Sequence, residues 1–125
     1  MRKVLLDSSF LLAVMEHPTS WEADIAESLG SVSLVVPASV ESELERLSKE
    51  SGRRARLASL ALGLVHAGTI RTQPDRGGRP DDEIVSSALA DKSIVATIDS
   101  ELAARLRALR VATITLRGGR VAVST

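Results

Sequence analysis

Five short runs rich in Val, Ile, Leu and Thr recur along the chain, separated by longer stretches in which apolar residues return every three or four positions. That alternation most constrains the fold, because it is the signature of βαβ units closing into a parallel sheet. The runs predict strands over residues 3–6, 34–36, 69–72, 94–97 and 112–116, and the intervening periodicity predicts helices over 9–15, 20–28, 38–48, 52–67, 81–92 and 100–109. Residues 121–124, which follow Gly118-Gly119, are expected to add an antiparallel edge strand through a hairpin turn. The stretch 73–80, with Gly77, Gly78 and two prolines, is the most irregular part of the sequence and is expected to border the functional site. A length of 125 residues suits one domain and one core, and no internal repeat or low-complexity segment suggests a second module.

Composition removes several classes of chemistry. The chain has no cysteine, so disulfides, thiol nucleophiles and Cys-based zinc sites are excluded, and a bound metal would rest on oxygen ligands or on two histidines. The three apolar residues before Asp7 are too few for a signal-peptide core, and no long apolar run follows, so the expected location is the cytoplasm and no membrane partner is expected. The formal net charge is zero, unlike the strongly basic domains that bind nucleic acid avidly. The charge is uneven, however. Beyond Ser100 the single acid Glu101 is outnumbered by Arg105, Arg107, Arg110, Arg117 and Arg120, and Lys49, Arg53, Arg54 and Arg56 form a second basic group. Such patches can track a phosphate backbone, although solvated helix faces explain them equally well. Arg53, Arg54 and Arg105 are the candidates for RNA contact. His17 and His66 are isolated in the sequence, and His66, near a helix end, reads as a cap or surface residue. Trp21, the one tryptophan, is expected to pack its helix onto the core; with only Phe10 beside it, the chain has no aromatic platform for bases.

In open parallel sheets, ligands sit beyond the carboxyl ends of the strands, so acids just after predicted strands come first. Asp7 follows one such strand directly and Asp99 another after one residue; each also precedes a helix, where N-capping is an equal contender. In the helix from Ala38, the stripe Val40, Leu44 and Leu47 leaves Glu43 about 60° from Val40, while Glu41 and Glu45 fall about 100° and 140° away on the other side. Glu43 is therefore the glutamate expected to face inward, where a carboxylate is costly without a partner. Taking Ile84, Val85, Ala88 and Leu89 as the buried stripe of the next helix, Asp81 lies at its centre, Asp82 a quarter-turn off and Glu83 almost opposite. Pro80 and the helix dipole account for Asp82 and Glu83 as ordinary first-turn acids. Four gathered carboxylates would repel one another and raise their pKa values, which makes sense mainly where a hard divalent cation joins them.

The order and context of these acids resemble the PIN-domain nucleases. Four pieces carry the resemblance along nearly the whole chain: Val4-Leu5-Leu6-Asp7-Ser8-Ser9, Val35-Val36-Pro37-Ala38-Ser39-Val40-Glu41-Ser42-Glu43-Leu44, Pro80-Asp81-Asp82-Glu83-Ile84-Val85-Ser86-Ser87-Ala88, and Ile94-Val95-Ala96-Thr97-Ile98-Asp99-Ser100-Glu101-Leu102. The resemblance implies a three-layer α/β fold with a mostly parallel sheet in the order 3-2-1-4-5. It also implies a catalytic and metal-binding pocket of Asp7, Glu43, Asp81 and Asp99, and Mg²⁺- or Mn²⁺-dependent cleavage of RNA by a metal-activated water. Ser9 and Thr97 match polar positions at the rim of that pocket, and Asp82 and Glu101 are secondary candidates acting through water. The segments 37–45 and 97–102 look more like archaeal relatives of the ribosomal-RNA processing nucleases of the small-subunit processome than like VapC-type toxins, which more often carry Phe where Leu102 stands. The partners implied are RNA, a second copy of the chain, and a ribosome-assembly factor or an antitoxin. Two further hypotheses belong to other classes. A catalytically silent RNA-binding scaffold is disfavoured by four intact acids, and a receiver-type aspartyl-phosphate protein by Ser8-Ser9 after Asp7 and the lack of any Lys after Lys92.

Overall fold

A computed structural model describes residues 1–17, 20–75 and 78–124. The central strand β1 (Arg2–Leu6) is flanked by β2 (Val32–Pro37) on one side and β4 (Ile94–Ala96) on the other. Beyond β2 lies β3 (Arg71–Gln73); beyond β4 lie β5 (Thr113–Arg117) and β6 (Arg120–Ser124). The order is β3-β2-β1-β4-β5-β6, with β1 to β5 parallel and β6 antiparallel: the 3-2-1-4-5 order that the family resemblance implies, with the expected antiparallel edge strand added. Val4, Leu5 and Leu6 are fully buried because a central parallel strand is covered on both faces, which is why the run is continuously apolar rather than alternating. The Arg117–Arg120 pair leaves a two-residue turn of Gly118 and Gly119, both at positive φ, the backbone such hairpins need.

Six helices cover the sheet: α1 (Ser8–Glu16), α2 (Trp21–Leu29), α3 (Ala38–Ser48), α4 (Arg53–His66), α5 (Pro80–Asp91) and α6 (Ser100–Ala108). Phe10 of α1 and Trp21 of α2 meet edge to face at 5.9 Å between ring centroids, so Trp21 is a core residue. His17 and His66 are exposed at helix ends, away from the acids.

Helix α5 departs from its expected burial at several positions: Asp81, expected at the centre of the buried stripe, is exposed, although it lines the pocket described below. Glu83, placed opposite the buried stripe, is 1% exposed, whereas Leu89, counted into the stripe, is 49% exposed. Ser87, a polar residue that an apolar wheel ignores, is buried beside Glu83 and donates to its Oε1 at 3.1 Å; Gln73 of β3 donates in turn to Ser87 Oγ at 3.2 Å. Counting Leu89 in and Ser87 and Glu83 out rotated the inferred stripe by roughly 70°. Polar groups that satisfy one another can be buried, and hydrophobic periodicity does not see them.

The β5–β6 hairpin is held to α2 by a second polar device. Asp24 accepts from Arg120 Nε and Nη2, both at 2.9 Å, and from the Val121 backbone N–H at 3.3 Å. These bonds, above all those from Arg120, hold the Asp24 carboxyl below its ordinary value of 3.8. A depressed carboxyl stabilises the fold above its unfolded pKa and ceases to as pH falls through the folded one. We expect Asp24→Asn to lower the Tm at pH 7 by thermal denaturation, and the gap to the wild type to narrow once the pH falls below about 3.8.

Candidate active site

Strand order reverses between β1 and β4: the chain runs outward from β1 through β2 to β3, then returns to β4 on the opposite side. The carboxyl ends of strands at such a switch point open a crevice, since the flanking connections leave in opposite directions. Register makes the crevice chemical. Leu6 pairs with Ala96, so Asp7 and Thr97 stand level just past the strand ends, and the Asp7 N–H donates to Ala96 O at 3.0 Å.

Asp7 is only 5% exposed. It stands before α1 but makes no side-chain cap bond there, so capping does not explain it. Its Oδ2 instead accepts from Ser9 Oγ at 2.7 Å and from Thr97 Oγ1 at 2.8 Å. Each hydroxyl also takes a backbone proton: Ile98 N–H donates to Ser9 Oγ at 3.2 Å, and Asp99 N–H to Thr97 Oγ1 at 3.0 Å. With both hydroxyl protons directed at Oδ2, the carboxylate is fixed in rotation and Oδ1 is left clear of them. Burial pushes the Asp7 carboxyl above its ordinary range; the Ser9, Thr97 and Ser8 bonds oppose that shift, and the charge of Glu43 adds to it.

Asp7, Glu43, Asp81 and Asp99 line one pocket of about 550 Å³, so the four acids singled out by strand ends and helical wheels do come together. Asp99 is both cap and pocket residue. Its Oδ1 receives the N–H groups of Glu101 at 2.9 Å and Leu102 at 3.1 Å, which start α6. Asp81 sits in the first turn of α5, where Pro80 starts the helix and the dipole favours negative charge. Its carboxyl is nevertheless raised, first by desolvation and then by Asp7, Asp99 and Glu43, while Arg105 draws it back. The acids therefore repel one another across the pocket.

The remaining candidates divide. Ser9 lines the pocket, and Thr97 lies beneath it, both through Asp7. Asp82 reaches the pocket but is paired with Arg105 Nη1 at 2.8 Å, in a largely exposed ion pair. Glu101 is exposed and outside the pocket, and contributes its backbone N–H rather than its carboxylate. Arg54 and Arg105 stand at the rim, whereas Arg53 is turned away to Glu16 at 2.9 Å. Arg79, which the sequence reading did not single out, also lines the pocket. The one signal for it was its place in the irregular 73–80 stretch, of which residues 76 and 77 lie outside the described residues. Asp75 in that stretch accepts from Ser39 N–H at 3.1 Å and so ties it to the start of α3, the helix that carries Glu43.

The donor set suits a hard cation: four carboxylates, no sulfur, and no imidazole at the pocket. Among the described residues no three acidic or histidine side chains already converge on one point at ligand spacing. Carboxylates standing around a pocket, rather than closed on a point, fit an ion such as Mg²⁺ that keeps several of its waters.

Comparison with known proteins agrees with this geometry. Residues 4–119 match the family described as PIN-like domain, and the chain belongs to that family. Its fold is that of the PIN-domain nucleases. It overlays the structure of the PIN domain endonuclease Utp24 with a TM-score of 0.81 at 21% identity, covering 98% of this chain and 90% of that one. A domain of a functionally unknown protein from Methanocaldococcus jannaschii DSM 2661 overlays at 0.67 and 18% identity, over 100% of this chain and 98% of that one. VapBC-1 from nontypeable Haemophilus influenzae gives 0.59 at 16%, over 85% and 93%. Among curated proteins, no sequence matches significantly.

A carboxyl whose pKa is raised on folding binds its proton more tightly in the native state, so the metal-free fold loses stability as pH rises through that value. Asp7→Asn removes the charge while its amide oxygen can still accept from Ser9 and Thr97. In EDTA at pH 7.5 we expect the variant to melt a few degrees above the wild type, with the difference closing on acidification. Mn²⁺ should raise the Tm of the wild type and leave that of the variant nearly unchanged.

Proposed function

We propose that this chain is a metal-dependent endoribonuclease, with Asp7, Glu43, Asp81 and Asp99 holding Mg²⁺ or Mn²⁺. The observation that carries the reading is the gathering of four carboxylates around one pocket, beside a buried Asp7 whose Oδ2 accepts from two hydroxyls. Such an arrangement destabilises the metal-free protein and gains from a divalent cation. When bound, the ion supplies activation of a water for in-line attack on a phosphodiester and neutralises charge on the leaving oxygen.

The protein's own part is orientation and charge. Ser9 and Thr97 fix Asp7 so that one oxygen faces the pocket, and Asp99 is held by the amides that begin α6. Arg54, Arg79 and Arg105 at the rim attract the phosphates that the acids would otherwise repel. We rank a role in ribosomal-RNA processing first, with a ribosome-assembly factor as partner. Segments 37–45 and 97–102 resemble that branch, and the overlay with Utp24 is fuller than that with VapBC-1. A VapC-type toxin paired with an antitoxin is the second reading, and in either role a homodimer working in the cytoplasm fits such a protein.

Asp99→Asn separates the chemistry from the fold, because Asn is as good an N-cap as Asp and keeps an acceptor for Glu101 and Leu102. On a labelled, partly structured RNA we expect cleavage by the wild type with Mn²⁺ or Mg²⁺, none in EDTA, and a loss of about 100-fold or more in the variant. Equal cleavage by both preparations would mean that the activity is not this protein's.

A further inference from the structure

The end of the sheet opposite the acidic pocket carries a basic hollow that none of the chemistry above uses. It lies where β1, β4 and β5 begin, floored by Ser93, Ile94 and Ala112 and rimmed by Arg2, Lys92 and Arg110, with a volume of about 250 Å³. A second hollow of about 320 Å³ adjoins it through Arg110 and Val111 and adds Arg107 and Ser124. Among the described residues no acid lines either hollow, and Arg2, Lys92, Arg107 and Arg110 make no ion pair. In a chain of zero net charge, the acids gathered at one end of the strands are thus matched by cations at the other.

Helices α5 and α6 end here, and cations suit the negative end of a helix dipole. That accounts for the charge but not for the backbone. Lys92 and Arg110 stand at φ 55° and 61°, and among the described residues no other non-glycine residue has a positive φ. This conformation favours glycine, which the chain does use just past α2 and α4, at Gly30 and Gly68. Charge near a helix end needs no such conformation, so two neighbouring loops hold their cations there at a cost in strain. Leu89 and Leu109, near the ends of the same two helices, are 49% and 44% exposed beside these cations. On the floor, Ser93 is buried and its hydroxyl has no hydrogen-bond partner among the described residues, a polar group left unmet.

Cations flanked by exposed leucines complement a partner that is anionic and apolar at once. We propose that this hollow docks an acidic protein segment, with Asp or Glu carboxylates on Arg2, Lys92 and Arg110 and an aliphatic side chain against Leu89 and Leu109. A nucleic acid would meet the cations, but no aromatic side chain lines the hollow for its bases to stack on, and it has no aliphatic group to cover the leucines. The hollow and the acidic pocket open at opposite ends of the strands, so a partner held here leaves the pocket uncovered and tethers the protein rather than blocking it. The proposal stands apart from the nuclease reading.

The probe is a fluorescein-labelled peptide of repeated Glu-Glu-Leu, titrated with the full chain and followed by fluorescence anisotropy. Unlabelled Glu-Glu-Leu, Glu-Glu-Ser and single-stranded RNA serve as competitors. The variants are Lys92→Gly and Arg110→Gly, whose Tm should stay within a few degrees of wild type, because relief of the positive φ offsets the added freedom of the unfolded chain. We expect saturable binding by the wild type, about tenfold weaker in each variant and weaker again at high salt. Amide chemical shifts on adding the peptide should change most at Leu89, Lys92, Ser93 and Arg110. Absent binding, equal binding by the variants, or shifts centred elsewhere would overturn the proposal. So would equal competition by Glu-Glu-Ser, which would leave the leucines without a part. If RNA displaces the peptide as well as unlabelled Glu-Glu-Leu does, the surface belongs to a phosphate backbone and the acidic-segment proposal falls.

Discussion

Asp7 is a carboxyl largely withdrawn from water, and the rest of the site is arranged around that cost. Its position follows from the sheet: β1 is central, its register with β4 sets Thr97 beside Asp7, and the reversal of strand order opens the crevice that Asp7 lines. Two hydroxyls donate to one oxygen, which offsets part of the desolvation and fixes the carboxylate in rotation. They do not remove the charge. Glu43, Asp81 and Asp99 add more of the same sign, so the pocket concentrates negative charge, which on the proposed reading a divalent cation offsets.

That concentration of charge must be offset by stability elsewhere. The core is continuous and mostly aliphatic, with Phe10 and Trp21 its aromatic members, and draws on β1, β2, β4 and β5 and on all six helices. Local devices keep the periphery in register: Asp24 clamps the β5–β6 hairpin to α2, and Asp75 ties the irregular segment before α5 to the start of α3. Both lie away from the pocket and both are ordinary hydrogen-bonded ion or cap contacts. Destabilising charge is thus concentrated at the site, while favourable charge pairs hold the surrounding frame.

Much of this was legible in the sequence. The alternation of apolar runs and helical periods pointed to a parallel βαβ sheet, whereas its strand order came from the resemblance to the PIN-domain nucleases; Asp7 and Asp99 stood out just past strands, with N-capping an equal contender. Glu43 was separable from Glu41 and Glu45 because its helix has a clean apolar stripe. The α5 wheel failed at Glu83 because Ser87 donates to the buried carboxylate and is itself held by Gln73, 14 residues before it, polar contacts that no periodicity encodes. Arg53 and Arg54 looked interchangeable as neighbours in a basic run. Only the packing of α1 against α4 turns Arg53 to Glu16 and Arg54 toward the pocket. Arg79 was hidden for a similar reason, since an irregular stretch offers no period from which to infer direction.

A net charge of zero is then no argument against a nucleic-acid partner. Overall charge governs long-range attraction, but what a phosphate meets at the rim is local: Arg54, Arg79 and Arg105 ring a pocket whose acids alone would repel it. Before a cation binds, the acids and the arginines oppose each other as attractors of RNA. On the proposed reading a divalent ion cancels two of the four negative charges, which shifts the balance toward Arg54, Arg79 and Arg105 and makes the same surface less repulsive to a phosphate. On the proposed nuclease reading, metal and RNA binding are therefore linked through electrostatics, and by reciprocity RNA at the rim should favour the ion as much as the ion favours RNA.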